Sequence, residues 1–254
     1  MRSKLGKSSL VILGLAFLVL VGGLFWFRSQ GDSQGSTGSK GIEPAEQVSG
    51  KKTASKKTSQ DSGLPNVSPS DWELVLVNRD HITPELNPDL ETVENITVDK
   101  RIAENVRAFL KAAQEVDPAF HLISGYRSVA YQKELFQSYI DQEKANDPNL
   151  NDQEAERLVK TYSQPGGASE HQTGLAIDLS TVDALNQADK SSMEKIHKLA
   201  PDYGFVLRFL EGKTASTGVG YEDWHFRFVG KDSARYMTEH GLTLEEYIKQ
   251  LEEK

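Results

Sequence analysis

The fold class this sequence predicts is α+β, a small, mainly antiparallel sheet with flanking helices. Three observations predict it. Apolar residues recur with a helical period in several stretches, as at Ile102, Val106, Phe109, Leu110 and Ala113. Short strand-like runs, Phe120 to Ser124, Phe205 to Phe209 and Asp223 to Val229, lie between such stretches. The order of the elements is not a regular βαβ series, which argues against a parallel sheet wound by helices.

The elements follow in chain order. Arg2, Lys4 and Lys7 precede an uncharged run from Ser8 to Phe27 that ends in Leu24-Phe25-Trp26-Phe27-Arg28. Twenty residues at ~1.5 Å each span about 30 Å, the thickness of a bilayer core, and exceed the apolar region of a cleaved leader. Aromatic residues at its end and basic residues before it are the marks of a signal anchor with a cytosolic start. Residues 1–28 are therefore expected to be a cytosolic N-terminus and single transmembrane anchor. Residues 29–66, rich in Ser, Gly, Lys, Thr and Gln, have too few aliphatic side chains for a core and form an expected tether. Residues 67–254 are the expected globular domain, placed outside the cell.

Within that domain Leu74 to Val77 reads as a first strand, followed by a polar loop with two prolines. A helix is expected over Val98 to Val116 and stops at Asp117-Pro118. A second helix covers about Ala130 to Lys144. A third is capped by Asn151 with Glu154 three positions on, a reciprocal capping pattern. Met193, Ile196 and Leu199 mark another helix, ended by Pro201, and Thr243 with Glu246 caps the last one. Gly212 to Gly220 is a loop of small residues.

Charge is unevenly spread. The first 67 residues carry nine Lys/Arg against four Asp/Glu, so the other 187 hold 20 against 33, a net of −13. An acidic domain argues against nucleic acid as a partner. The absence of cysteine removes thiolate ligands, a cysteine nucleophile and disulfides. A serine nucleophile is disfavoured too, because the globular part has no Gly-x-Ser-x-Gly and no Ser-x-x-Lys opening a helix.

The chemistry gathers in two segments. Ser169-Glu170-His171-Gln172-Thr173-Gly174-Leu175-Ala176-Ile177-Asp178 sets a histidine and an aspartate seven residues apart. On one straight strand they would lie about 23 Å apart and on opposite faces. A turn at Gly174 into a short strand brings them together, with Leu175, Ile177 and Leu179 facing the core. A carboxylate buried there needs a strong partner, and a divalent cation is one. The second segment, Glu222-Asp223-Trp224-His225-Phe226-Arg227-Phe228, alternates Trp224, Phe226 and Phe228 against His225 and Arg227. His171, Asp178 and His225 would make three protein ligands with one position open, the pattern of a catalytic zinc. Glu222, Glu170 and Asp223 all stand close enough in sequence to act as a base. Asp223, on the expected strand, would share a face with His225 and could support it.

Of the other histidines, His197 and His240 read as surface residues, His121 as structural, and His81 as a loop residue not expected to reach the site. Upstream, Arg127 follows an apolar strand within Ser124-Gly125-Tyr126-Arg127-Ser128, where Gly125 permits a tight bend. Its guanidinium could clamp a carboxylate or stabilise an oxyanion.

These three segments, in this order, resemble the zinc D-Ala carboxypeptidases of the VanY-like family, which includes DD- and LD-carboxypeptidases of peptidoglycan. The resemblance runs from about Trp72 to Gly230. It implies a hedgehog/DD-peptidase-like fold, zinc on His171, Asp178 and His225, and Glu222 as the base, three residues before the last ligand. It also implies that Arg127, Gln132 and Ser169 lie in the substrate site, with Ser124 and Tyr126 as further contacts. The expected function is removal of the C-terminal D-Ala from peptidoglycan stem peptides by a monomer held at the membrane through its N-terminal helix. The alternative is a non-catalytic, zinc-containing wall-binding module on the same fold, and release of D-Ala distinguishes the two.

Overall fold

The computed structural model describes residues 63–254. The expected anchor over Ser8–Phe27 and nearly all of the tether lie outside the described residues. Among those described, no helix is long and apolar enough to cross a membrane.

The chain forms a hairpin of β1 (Leu90–Val93) and β2 (Ile96–Asp99), then α1 (Ala103–Val116), β3 (His121–Ser124), α2 (Val129–Asn146) and α3 (Asp152–Val159). There follow β4 (Ala176–Ser180), α4 (Lys190–Leu199), β5 (Phe205–Leu207), the single turn α5 (Thr214–Thr217), β6 (His225–Phe228), α6 (Lys231–His240) and α7 (Leu244–Glu252). The main sheet has the order β3-β4-β6-β5, antiparallel throughout. The α+β expectation holds.

The core lies between this sheet and α1. Phe109 of α1 stacks on Phe205 at 5.2 Å and meets Phe226 edge-on at 5.1 Å. Ile177 and Leu179 of β4 are fully buried in the same cluster, as their alternation predicts. Truncating a core aromatic of this kind costs about 3–5 kcal/mol. The capping patterns at Asn151/Glu154 and Thr243/Glu246 are both formed and start α3 and α7.

Two expected elements differ. Leu74–Val77 is not a strand: Trp72–Leu74 makes one 3₁₀ turn and the chain then runs on without a strand partner. The reason is a side chain. The Glu73 and Val75 carbonyls, which a ladder would have used, each accept a hydrogen bond from Arg227 Nη2 at 2.8 Å. The helix expected from Val98 begins later, because Val98 and Asp99 belong to the β1–β2 hairpin, which turns at Glu94 with φ 51°. Asp99 then accepts from the Arg101 amide and opens a 3₁₀ turn ahead of α1.

Candidate metal centre and active site

The turn at Gly174 is formed as expected. Its φ of 70° is left-handed, and a β-carbon there would press on the Asp99 backbone, whose amide donates to the Gly174 carbonyl at 2.9 Å. The chain leaves a 3₁₀ turn over Glu170–Thr173, reverses at Gly174 and enters β4. In the sheet register Asp178 then lies opposite Ser124 on one side and opposite His225 on the other. The two halves of the site therefore meet through ordinary strand pairing.

His171 Nδ1 is 2.7 Å from the Gly125 carbonyl, which can only accept, so this nitrogen carries the proton and Nε2 is free. That free nitrogen is 3.4 Å from Asp178 Oδ2. His225 Nδ1 is 3.3 Å from Asp178 Oδ1, and the two imidazole rings are 4.9 Å apart and nearly perpendicular. Donor atoms of His171, Asp178 and His225 all lie within 4.8 Å of one another. A tetrahedral ion with bonds of about 2.0–2.1 Å needs donors about 3.3 Å apart, so a zinc ion fits this spacing. Asp178 Oδ1 is buried and has no hydrogen-bond partner among the described residues, an acceptor that a cation would satisfy.

The electrostatics favour the ligand forms of His171 and Asp178. Burial, with the Arg127 charge adding to it, lowers His171 to about 4 and keeps the ring neutral, as a ligand must be. Burial alone would raise Asp178, but His171 and His225 outweigh it and hold the carboxyl below its usual range. Burial also opposes a charge on His225, but the Asp178 and Glu170 carboxylates beside it bring it to about 9, so a metal taking Nδ1 displaces a proton there.

Glu222 stands beside this group, its Oε2 3.6 Å from His225 Nδ1, the nitrogen that faces Asp178. Burial, reinforced by the Asp178 charge, pushes its carboxyl up to about 8. Glu170 stands on the other side of the same ring, with Oε2 3.6 Å from His225 Nε2. Its Oε1 accepts from Arg208 Nε and Arg227 Nη1, each at 2.8 Å. Arg208 in turn holds Glu245 of α7 through two hydrogen bonds of 2.9 and 2.6 Å. Burial opposes the Glu170 charge, but the two guanidinium groups prevail and the carboxyl stays well below its ordinary range.

Asp223 does not support His225. Residues 221–223 precede β6, so strand alternation does not apply, and the Asp223 carboxylate instead accepts from the Asn186 amide at 3.0 Å. His197 is not a surface residue: it is largely buried beside Phe226 and its Nε2 donates to the Asp223 carbonyl at 2.8 Å. His81 is exposed and bonds Asn78, His121 pairs with Asp183 on the edge strand, and His240 bonds the Tyr236 carbonyl. None of these three is in the metal group.

The Arg127 backbone amide donates to the His171 carbonyl at 3.1 Å, and its Nε is buried without a partner among the described residues. Buried Gln132 donates through Nε2 to the Gln164 carbonyl at 2.6 Å, and its Oε1 is unpaired among the described residues. Ser169 is buried directly before the 3₁₀ turn that carries His171. The Tyr126 hydroxyl is spent on Glu85 at 2.9 Å, and Ser124 lies in register with Asp178. Sequence reasoning missed Arg208, Glu245 and Asn186. Arg227 had a signal, its place on the His225 face of β6, whereas Arg208 and Asn186 had none.

Known proteins of the same build bear on this geometry. The family model for VanY, D-alanyl-D-alanine carboxypeptidase, matches residues 95–231, which include all three segments described above. A D-alanyl-D-alanine carboxypeptidase of Enterococcus faecalis is 32% identical over 181 residues, covering 70% of this chain and 66% of that protein, just under two thirds of its length. The putative carboxypeptidase YodJ of Bacillus subtilis is 30% identical over 74% of this chain and 71% of its own. Among solved structures, VanYB in complex with D-alanine-D-alanine aligns with a TM-score of 0.64 at 30% identity, covering 70% of this chain and 98% of that one. A VanY D,D-pentapeptidase variant in complex with Zn(II) aligns at 0.62 and 31% identity, covering 70% and 99%. The zinc of that relative, and the three converging donors found here, make the same metal the cofactor of this site. The chain belongs to the VanY family of zinc-dependent D-alanyl-D-alanine carboxypeptidases.

Proposed function

We propose that this chain removes the C-terminal D-Ala from peptidoglycan stem peptides, working outside the cell in wall maturation and held to the membrane by its N-terminal run. One observation carries the reading above the others. Glu222 is a buried carboxylate on the ligand side of His225, next to an Asp178 oxygen that has no hydrogen-bond partner among the described residues.

His171 Nε2, Asp178 and His225 Nδ1 would hold the zinc. When bound, it acts as a Lewis acid on the scissile carbonyl and makes water acidic enough to react near neutral pH. Glu222 takes one proton from the attacking water as the new C–O bond forms. It returns that proton to the departing amine nitrogen as the C–N bond breaks, so D-Ala leaves with its amine restored. Glu170 faces the far nitrogen of His225 at 3.6 Å, and its charge favours the proton on that nitrogen, which leaves Nδ1 for the metal. Arg127 reads the substrate's terminal carboxylate or the developing oxyanion, a use that suits its unpaired buried Nε. Gln132 offers an acceptor to a substrate amide, Ser169 completes this wall, and Ser124 lines it beside Asp178. Tyr126 shapes the wall through Glu85.

The test is direct. Defined muropeptides ending in D-Ala-D-Ala, and others with a single D-Ala on an L-centre, are incubated with the protein, with and without chelator, and weighed by mass spectrometry. Loss of one alanine that chelation abolishes is expected, and the preferred substrate assigns DD- or LD-specificity. No alanine release from either set, or release indifferent to chelator, would overturn the reading. Location is tested separately, by protease added to spheroplasts, which should remove the domain from membranes that carry the intact chain.

A further inference from the structure

We infer that Asn186 is a positioning residue for the base, and that its side-chain amide sets the direction in which Glu222 points. The inference rests on the proposed role of Glu222. Glu222 lies outside β6, which begins at His225, so no strand ladder holds it. Ladder-like pairing stops one residue earlier in space, at the Leu179 amide on the Trp224 carbonyl. A buried carboxylate that must reach a defined proton therefore needs another hold.

Asn186 supplies it from the loop between β4 and α4. Its Nδ2 donates to the Tyr221 carbonyl at 2.8 Å, and its Oδ1 accepts from the Asp223 amide at 2.9 Å. The first atom belongs to the peptide before the Glu222 α-carbon and the second to the peptide after it. One planar amide thus fixes both peptide planes that set the Cα–Cβ direction of Glu222. The Asn186 backbone amide returns a bond to Asp223 Oδ1 at 3.0 Å, and His197 of α4 holds the Asp223 carbonyl. Asn186 itself has φ 58°, the left-handed region that asparagine tolerates better than most residues. Among the described residues, the one other backbone tie at Glu222 is its own amide on the Phe209 carbonyl, and that bond is long, 3.3 Å.

The decisive variant is Asn186→Gly in the full-length chain. Glycine keeps the left-handed backbone and its amide while removing both side-chain bonds. A misplaced base lowers turnover without touching the metal ligands, so kcat should fall by roughly tenfold to a hundredfold with KM unchanged. Zinc content should match the parent. Amide hydrogen exchange over residues 221–225 should quicken, and Asn186→Asp, which keeps the acceptor alone, should fall between the two. The effect should also vanish in a Glu222→Gln background, because a residue that acts only through Glu222 has nothing left to place.

Three results would overturn the inference: parental kcat in Asn186→Gly, exchange no faster than the parent over residues 221–225, or a full further loss on top of Glu222→Gln. If the parent protein releases no D-Ala at all, the carboxypeptidase reading fails, and the exchange measurement still decides whether Asn186 holds this segment.

Discussion

Glu170 and Glu222 are the same residue type, both buried, and each lies 3.6 Å from a nitrogen of the same imidazole. Their surroundings make them different acids. Glu170 stands behind His225 with two guanidinium groups on one oxygen and stays ionised. Glu222 stands in front with no ion pair to Lys or Arg among the described residues, and burial raises it to about 8. A carboxylate locked to arginine cannot take up and release a proton near neutrality, whereas one held only by a dry pocket can. A zinc ion on the front side would draw Glu222 back down, toward the ionised form a base needs. The ring between them thus separates a structural anion from a reactive one.

The most complete way to break this comparison is to remove the ring. His225→Ala, and equally His171→Ala, should abolish zinc binding and D-Ala release together and lower thermal stability, since bound metal stabilises only the folded state. Elemental analysis and a melting curve check this, and near-stoichiometric zinc in both variants would show a wrong ligand set. Next in size is Glu222→Gln, which keeps the side chain's shape but cannot accept the proton. Turnover should fall by about 10²–10⁴-fold while zinc and fold stay intact. A variant that is slow only because its zinc is gone would move Glu222 into the metal site.

Glu170→Gln tests the other side and should invert that pattern. Arg208 and Arg227 lose the anion between them, and breaking a buried pair of this kind costs about 3–5 kcal/mol. Zinc affinity should weaken by about 10–100-fold as His225 loses its support, yet at saturating zinc turnover should stay well above that of Glu222→Gln. If instead Glu170→Gln is stable and equally dead, the two roles have been assigned the wrong way round.

How much of this was legible beforehand follows from how each part is encoded. His171 and Asp178 lie in one short motif whose glycine turn brings them together, and His225 was legible because the three segments jointly resemble the zinc carboxypeptidases. The helices with capping patterns were legible from local sequence as well. The hold behind His225 was not. Arg208, Glu170 and Glu245 come from three separate segments, and only tertiary packing makes them neighbours. Leu74–Val77 misled because its β-branched and aliphatic run reads as a strand, while a distant arginine takes the carbonyl of Val75 and that of Glu73 just before the run. Asp223 misled because alternation was extended past the point where β6 begins.

The smallest expected effect, and the finest test, comes from that third carboxylate. Asp223 neighbours the base in sequence and burial raises its carboxyl as well, so proximity alone would make it a rival. Contacts tell against it: His225 lies within ion-pair distance of Glu170, Asp178 and Glu222, and Asp223 instead binds the Asn186 amide. Asp223→Asn keeps an oxygen able to accept that amide and removes only the charge. The loss should therefore be at most about 1 kcal/mol, so kcat should stay within about fivefold of the parent, with zinc content unchanged. The comparison with Glu222→Gln is made on the same muropeptide under the same conditions. If Asp223→Asn were the slower of the two and kept its zinc, the proton would pass through Asp223, and the contrast between Glu170 and Glu222 would no longer describe the chemistry.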